Sequence, residues 1–223
     1  MRLLVSFFLV FSLFFANISV SFADDITGIA LEKEMRAMVS QGVVQGYPDG
    51  KYRPNESVTR GQFATFIARA LQLPEGSGHF SDVSPSSKLA DGIYKANAAG
   101  IVQGYSNGAF GVNNKITREE MAVMIDRALD YLEIEKKQAP LSSFTDVDGL
   151  YSASKIAISN NVYYGIIRGI PNTDGKTFRF DPKAYATRAH AAAFLYRLLE
   201  VWAEQTPEMA YQVAVIQNGQ LTP

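Results

Sequence analysis

The chain repeats itself, and that limits its fold more than any other feature does. Shifted by 58 residues, Gly42–Leu71 (GVVQGYPDGKYRPNESVTRGQFATFIARAL) falls on Gly100–Leu129 (GIVQGYSNGAFGVNNKITREEMAVMIDRAL) with 14 of 30 positions identical and no gap. Unrelated segments would share about two. At the same offset Phe80-Ser-Asp82 aligns with Phe22-Ala-Asp24, and Leu89 with Leu31. A third, more diverged copy opens at Phe144-Thr-Asp146-Val and keeps a glycine pair in Gly165-Ile-Ile-Arg-Gly169. It closes with Thr187-Arg188-Ala-His-Ala-Ala-Ala-Phe-Leu-Tyr-Arg197. Its central loop is longer, with 18 positions from Gly169 to Thr187 against 13 from Gly46 to Thr59.

Each copy reads as helix, loop, helix. Leu31, Met35, Met38 and Val39 recur at helical spacing in the first helix of repeat 1, as do Leu89, Ile93 and Ala96 in repeat 2. Gly42, Gly100 and Gly165 follow where a helix C-terminal glycine belongs. The loops carry turn chemistry at Asp49-Gly50, Asn107-Gly108 and Asp174-Gly175. On the second helix Phe63, Phe66, Ile67, Ala70 and Leu71 form an apolar stripe, matched by Met121, Met124, Ile125, Ala128 and Leu129. One helix pair cannot bury such a face alone, so the copies must pack on one another. The expected fold is all-α, with three pseudo-equivalent units at residues 24–75, 76–138 and 139–200 and a short irregular tail, 201–223. Within that tail Tyr211-Gln-Val-Ala-Val-Ile216 reads as a lone strand.

Composition narrows the chemistry. The 223 residues hold no cysteine and two histidines, which excludes a disulfide scaffold, a thiolate metal site and a thiol nucleophile. His79 reads as a linker residue and His190 as a surface residue in the first turn of a helix. Asp146-Val-Asp148-Gly149 starts like a calcium loop, but its twelfth position is Ala157 instead of glutamate. No catalytic residue, metal or cofactor is expected. Arg2, the apolar run from Leu3 to Ala16 and Ser21-Phe22-Ala23 make a secretory signal peptide, residues 1–23. Its removal takes Arg2 only, leaving 20 basic and 22 acidic residues, a net charge of −2. That charge argues against a nucleic-acid partner, and nothing beyond the signal is expected to hold a membrane.

The start of each second helix carries the candidate site. Val58-Thr59-Arg60-Gly-Gln62-Phe63 and Ile116-Thr117-Arg118-Glu-Glu120-Met121 are capping boxes, with Val58 and Ile116 placed to staple onto Phe63 and Met121; Thr187 caps the third helix. The caps explain Thr59, Thr117, Thr187, Gln62 and Glu120, but they do not explain arginine. At the first helical position a cation faces the positive end of the helix dipole, yet Arg60, Arg118 and Arg188 occupy it in all three copies. Two sources of negative charge could compensate. Asp24, Asp82 and Asp146 could pair with an arginine across a repeat boundary. Alternatively the helix N-terminus and the arginine fork could hold a carboxylate or phosphate ligand.

The order Phe-x-Asp-Val, helix, Gly-Ile-Val-x-Gly-Tyr-x-Asp/Asn-Gly, then Ile/Val-Thr-Arg-x-Glu/Gln and an apolar helix resembles the surface-layer homology (SLH) module. Three tandem copies from Asp24 to about Glu200 cover nearly the whole mature chain. The resemblance implies a pseudo-threefold helical spindle that anchors an exported protein, non-covalently, to a secondary cell-wall polysaccharide on a Gram-positive cell surface. That glycan often bears pyruvate ketals, whose carboxylate would be the anion held by Arg60, Arg118 and Arg188. Gly46, Gly104 and Gly169 would let backbone and sugar approach, and Tyr47 and Tyr105 would line the grooves or pack in the core. The family often has a tryptophan early in its first helix, whereas Trp202 here lies beyond the last repeat. Its usual Thr-Arg-Ala-Glu appears as Thr-Arg-Gly-Gln, Thr-Arg-Glu-Glu and Thr-Arg-Ala-His, and Ile170 stands where repeats 1 and 2 have tyrosine. The grooves of Arg60 and Arg118 are therefore expected to work better than that of Arg188. Cleavage after Ala23 would also remove Phe22, the expected counterpart of Phe80 and Phe144.

Two rival functions follow from the same residues. One is a structural surface-array protein that self-assembles through repeat packing, with surface-layer subunits as partners. The other is a wall-modifying enzyme, disfavoured because no paired carboxylates stand at a recognisable spacing. Residues 201–223 are too few for a cargo domain, so the module is expected either to anchor a longer protein or to occupy wall sites alone.

Overall fold

The computed structural model describes residues 24–206. Six helices form its framework: α1 (Glu32–Ser40), α2 (Arg60–Ala70), α3 (Ala90–Ala98), α4 (Arg118–Tyr131), α5 (Ser152–Tyr163) and α6 (Arg188–Gln205). A two-stranded hairpin, β1 (Ile170–Pro171) and β2 (Phe178–Arg179), sits between α5 and α6. It absorbs the extra length of the third loop, with Ile170 opposite Arg179 and Pro171 opposite Phe178. The architecture is the expected all-α repeat. The signal peptide expected at residues 1–23 and the strand expected at Tyr211–Ile216 lie outside the described residues. Helix α6 runs on to Gln205, so the irregular tail starts later than expected, and Trp202 packs against the core from inside that helix.

The stripes read from sequence are the core. Met35, Met38, Phe63, Ile67, Ile93, Ala96, Met121, Ile125, Ala128 and Leu129 are fully buried. Each first helix ends at a glycine in the left-handed region, Gly42, Gly100 and Gly165. Glycine has no Cβ to strain that conformation, and it releases the chain from the helix at the same point in every copy.

Helices do not pair within a repeat. The contacts that build the core run α2 on α3, α4 on α5 and α1 on α6. Each first helix therefore lies on the second helix of the preceding repeat, and repeat 1 closes the ring on repeat 3. Glu34 of α1 and Arg197 of α6 seal that closure with a buried ion pair at 2.8 Å. At the axis the residue before each capping threonine meets its two counterparts. Val58 N–H donates to Ala186 at 2.9 Å, Ala186 N–H to Ile116 at 2.9 Å, and Ile116 N–H to Val58 at 3.2 Å. All three side chains are buried, so the pseudo-threefold is a closed triangle of main-chain hydrogen bonds around an apolar plug.

The aspartates that open the repeats have a local task. Asp82 accepts from the backbone N–H groups of Phe110 (2.6 Å), Gly111 (2.7 Å) and Val112 (2.9 Å). Asp146 does the same for Phe180 (2.9 Å) and Asp181 (2.8 Å). Burial works against the Asp82 carboxylate, but its backbone donors prevail and hold its pKa below the ordinary carboxylate value. In repeat 1 this role falls to Asp25, which accepts from Tyr52 (2.9 Å) and Arg53 (2.6 Å). Asp24 pairs with Arg36 at 2.9 Å instead. The 58-residue offset thus slips by one ahead of Leu31, and the position matching Phe80 becomes residue 23, not Phe22; both lie outside the described residues. None of these aspartates bridges to Arg60, Arg118 or Arg188, so the first of the two alternatives, acid–arginine pairing across repeat boundaries, does not form.

Candidate functional site

Three short segments converge where the triangle meets the starts of α2, α4 and α6. The capping threonines behave as the sequence indicates. Thr59 Oγ accepts from Gln62 N–H and Thr117 Oγ from Glu120 N–H, both at 3.2 Å. Gln62 returns the bond to Thr59 N–H at 3.0 Å, and Glu120 to Thr117 N–H at 2.8 Å. The third box, which the sequence left without a carboxylate, is completed by His190. Its Nδ1 accepts from Thr187 N–H at 3.3 Å while Thr187 Oγ accepts from His190 N–H at 3.2 Å. His190 is therefore a half-buried cap, not the surface residue expected. Burial, and then the nearby Arg118 and Arg197, lower its pKa to about 4.

The first two N–H groups of each second helix are also spent. Arg60 N–H donates to Asn114 (2.8 Å) and Gly61 N–H to Val112 (3.1 Å). Arg118 and Glu119 donate to Ala184 and Pro182, both at 3.0 Å, and Arg188 and Ala189 donate to Glu56 and Pro54, both at 2.9 Å. In every case the acceptor belongs to the loop of the next repeat around the ring. These helix N-termini consequently offer no amide protons to an anion, and that half of the ligand reading is overturned.

Carbonyl oxygens from the same loops resolve the arginine puzzle. Arg60 Nε donates to Phe110 (3.0 Å) and Nη2 to Gln103 (2.7 Å). Arg188 repeats the pattern on Tyr52 and Gln45, both at 2.7 Å. Arg118 makes only the first bond, Nε to Phe180 at 2.6 Å. The charge beside the α2 and α6 dipoles is thus offset by two backbone carbonyls each, and beside the α4 dipole by one. Burial lowers the pKa of all three guanidinium groups, and all three stay charged.

Three cavities lie along the equivalent seams. The Arg60 cavity, about 500 Å³, is walled by Gly104, Tyr105, Glu119, Glu120 and Arg127, with Ser154 and Lys183 of repeat 3 on its far side. The Arg118 cavity, about 300 Å³, is walled by Arg168, Gly169, Ile170, His190, Phe194 and Arg197, with Ala30 and Leu31 of repeat 1 opposite. The third, about 550 Å³, holds Gln45, Thr65, Arg69, Lys88 and Asp91. Arg188 is absent from the residues lining it and is only 2% exposed. Tyr105 lines the Arg60 cavity and is 44% exposed, whereas Tyr47 is half-buried and lines none of the three cavities. The Arg188 guanidinium lies 4.9 Å from the Tyr47 ring and that of Arg60 lies 5.3 Å from the Tyr105 ring.

The glycines tell a different story. A Cβ on Gly104 would sit 2.5 Å from the Phe80 ring, and one on Gly169 would sit 2.9 Å from Phe144. A Cβ on Gly46 would come within 3.3 Å of Lys51 O and of the Tyr52 ring. Their need for hydrogen in place of a side chain arises from rings of their own repeats. A second arginine, nine residues beyond the first, lines every cavity as Arg69, Arg127 or Arg197. The repeat alignment contained this recurrence, but a charge at the end of an amphipathic helix carries no distinguishing local signal.

The S-layer homology domain family matches this chain three times, at residues 24–64, 79–122 and 143–192. The chain belongs to that family. It is 36% identical over 169 residues to an amylopullulanase of Thermoanaerobacterium thermosulfurigenes, covering 74% of this chain and 9% of that protein. Exoglucanase XynX of Acetivibrio thermocellus shares 35% over 185 residues, 82% of this chain and 16% of that one. The surface-layer 125 kDa protein of Lysinibacillus sphaericus shares 32% over 176 residues, 78% and 14% respectively. The chain thus spans less than a fifth of the length of these curated relatives, and the portion it shares is the S-layer homology part.

Proposed function

We propose that this S-layer homology chain is an exported cell-surface anchor. It holds an acidic wall polysaccharide, such as one bearing pyruvate ketals, in the seams between its repeats. The observation that carries this reading is the state of the seam arginines. Arg60 and Arg118 each fix one side of the guanidinium to carbonyls of the next repeat and turn unspent N–H groups into a cavity. A carboxylate is the natural acceptor for such a fork, at roughly 1.5–3 kcal/mol per charge-assisted bond. Arg188 is buried and lines none of the three cavities, so its role is structural.

The relatives support an anchoring role. An amylopullulanase and an exoglucanase share this portion with a surface-layer protein, and what such a portion can contribute in common is attachment, not chemistry. We assign no catalysis to this chain. Sedimentation with purified Gram-positive walls, before and after mild acid removes acid-labile substituents from the wall polymer, tests the assignment. Binding should disappear on acid treatment. Undiminished binding to treated walls would refute it, and concentration-dependent assembly without any wall would favour the array instead.

A further inference from the structure

The three seams are pseudo-equivalent in backbone but not in charge, and the difference centres on repeat 3. Arg118 is 6% exposed, yet among the described residues its guanidinium has a single partner, Phe180 O. Its pseudo-symmetric mates Arg60 and Arg188 each place Nη2 on the carbonyl of the residue before the Gly46 or Gly104 turn. In repeat 3 that residue is Arg168, and Gly169 turns into the left-handed region to start the hairpin. No bond to the Arg168 carbonyl forms, so both terminal nitrogens of Arg118 are left facing the cavity. One fully buried donor without a partner among the described residues, Arg197 Nε, belongs to a residue of the same wall. A nearly buried guanidinium with idle donors is costly unless something accepts from them.

No residue lining that cavity is acidic; Asp181 and Asp146 act on Arg118 from outside the lining, and Asp146 is committed to the backbone N–H groups of Phe180 and Asp181. In the Arg60 cavity Glu119 and Glu120 line the groove, and the Glu120 carboxylate lies close enough to act on Arg60. At the matching position the Arg118 cavity has His190, whose Nδ1 is committed as an acceptor to Thr187 N–H, keeping the ring neutral there. Arg168, exposed on the rim and held only by a 3.3 Å bond to Gly165 O, adds a further guanidinium. Glu34 is behind the wall and is consumed by Arg197.

Building on the anchoring function above, we infer that the Arg118 seam is the principal anion site. In it Arg168 is a second ligand-binding guanidinium, and the histidine at position 190 sets specificity by withholding the carboxylate found at Glu120. The occupant is the carboxylate of an acidic sugar residue. The repeat that departs furthest from the common pattern therefore builds the most receptive groove.

Three variants of the full chain, titrated against the purified walls described above, test this. Arg168→Gln removes a rim charge that supports nothing else, and binding should weaken about tenfold or more. His190→Glu keeps a complete capping box, as Glu120 does in repeat 2, but sets a carboxylate beside Arg118, and it should weaken binding at least as much. Gln62→Glu makes the same change beside the structural Arg188 and should leave binding unchanged. Circular dichroism confirms that each variant is folded. Folded Arg168→Gln and His190→Glu proteins binding like the wild type would overturn the inference while leaving the anchoring function intact. So would a Gln62→Glu protein that loses as much. A wild type indifferent to acid treatment of the walls would overturn both.

Discussion

His190 closes the third capping box only as a neutral ring, and this makes one cap in three sensitive to pH. In the unfolded chain its pKa is about 6.5; in the folded protein burial and the facing Arg118 and Arg197 lower it to about 4. Between those values the unfolded chain binds the proton and the folded one does not, so stability falls as pH drops from about 6.5 to about 4. It is constant with respect to this group outside that window. That difference corresponds to about 3 kcal/mol. The ring is part-exposed, and solvent screening reduces that to roughly 2 kcal/mol. Protonating Nδ1 also removes the acceptor of Thr187 N–H, a loss already contained in the same figure. Glutamine serves at this position in repeat 1, so His190→Gln keeps the box and removes the titration. Urea denaturation of both proteins at pH 7.5 and 4.0 isolates the histidine, because carboxylate contributions cancel in the difference. The wild type should lose about 2 kcal/mol more than the variant on acidification. Equal losses would refute the buried neutral cap.

Other perturbations probe the ring itself. Glu34→Ala leaves Arg197 buried without its charge partner and should cost about 3 kcal/mol in chemical denaturation, since it also unties α1 from α6. Gly92→Ala places a methyl 2.7 Å from the Thr65 backbone where α3 crosses α2. The helices must separate to admit it, and the melting temperature should fall by an amount equivalent to about 1–3 kcal/mol. Thr117→Ala removes the hydroxyl that accepts from Glu120 N–H and should cost about 1 kcal/mol in the same assay.

Much of this architecture was legible because it rests on periodic features. Met35, Phe63, Met121 and their equivalents repeat at helical spacing, and Gly42, Gly100 and Gly165 mark the same chain reversal three times. What escaped was relational. No local pattern says that α1 packs on α6, or that a first helix lies on the preceding repeat's second helix. The arginines stand out in the sequence by their place at the helix starts, but they are balanced by main-chain carbonyls such as Gln103 O and Tyr52 O, which have no sequence signature. Asp25 was hidden behind Asp24 because a one-residue slip between adjacent aspartates leaves the gapless alignment just as good. His190 was misjudged because an imidazole, unlike Glu120 or Gln62, is rarely recruited as the returning acceptor of a capping box.

The same residues stitch the seams and face the cavities, so the decisive question is whether the arginines also hold the wall. Binding isotherms of the wild type and of the Arg60→Gln/Arg118→Gln variant on untreated Gram-positive walls answer it, with cooperative unfolding of both confirmed by circular dichroism. The expected result is a folded variant whose affinity is lower by about tenfold or more, the loss of at least one charge-assisted hydrogen bond. A folded variant with undiminished affinity would confine both arginines to joining the repeats and contradict carboxylate capture.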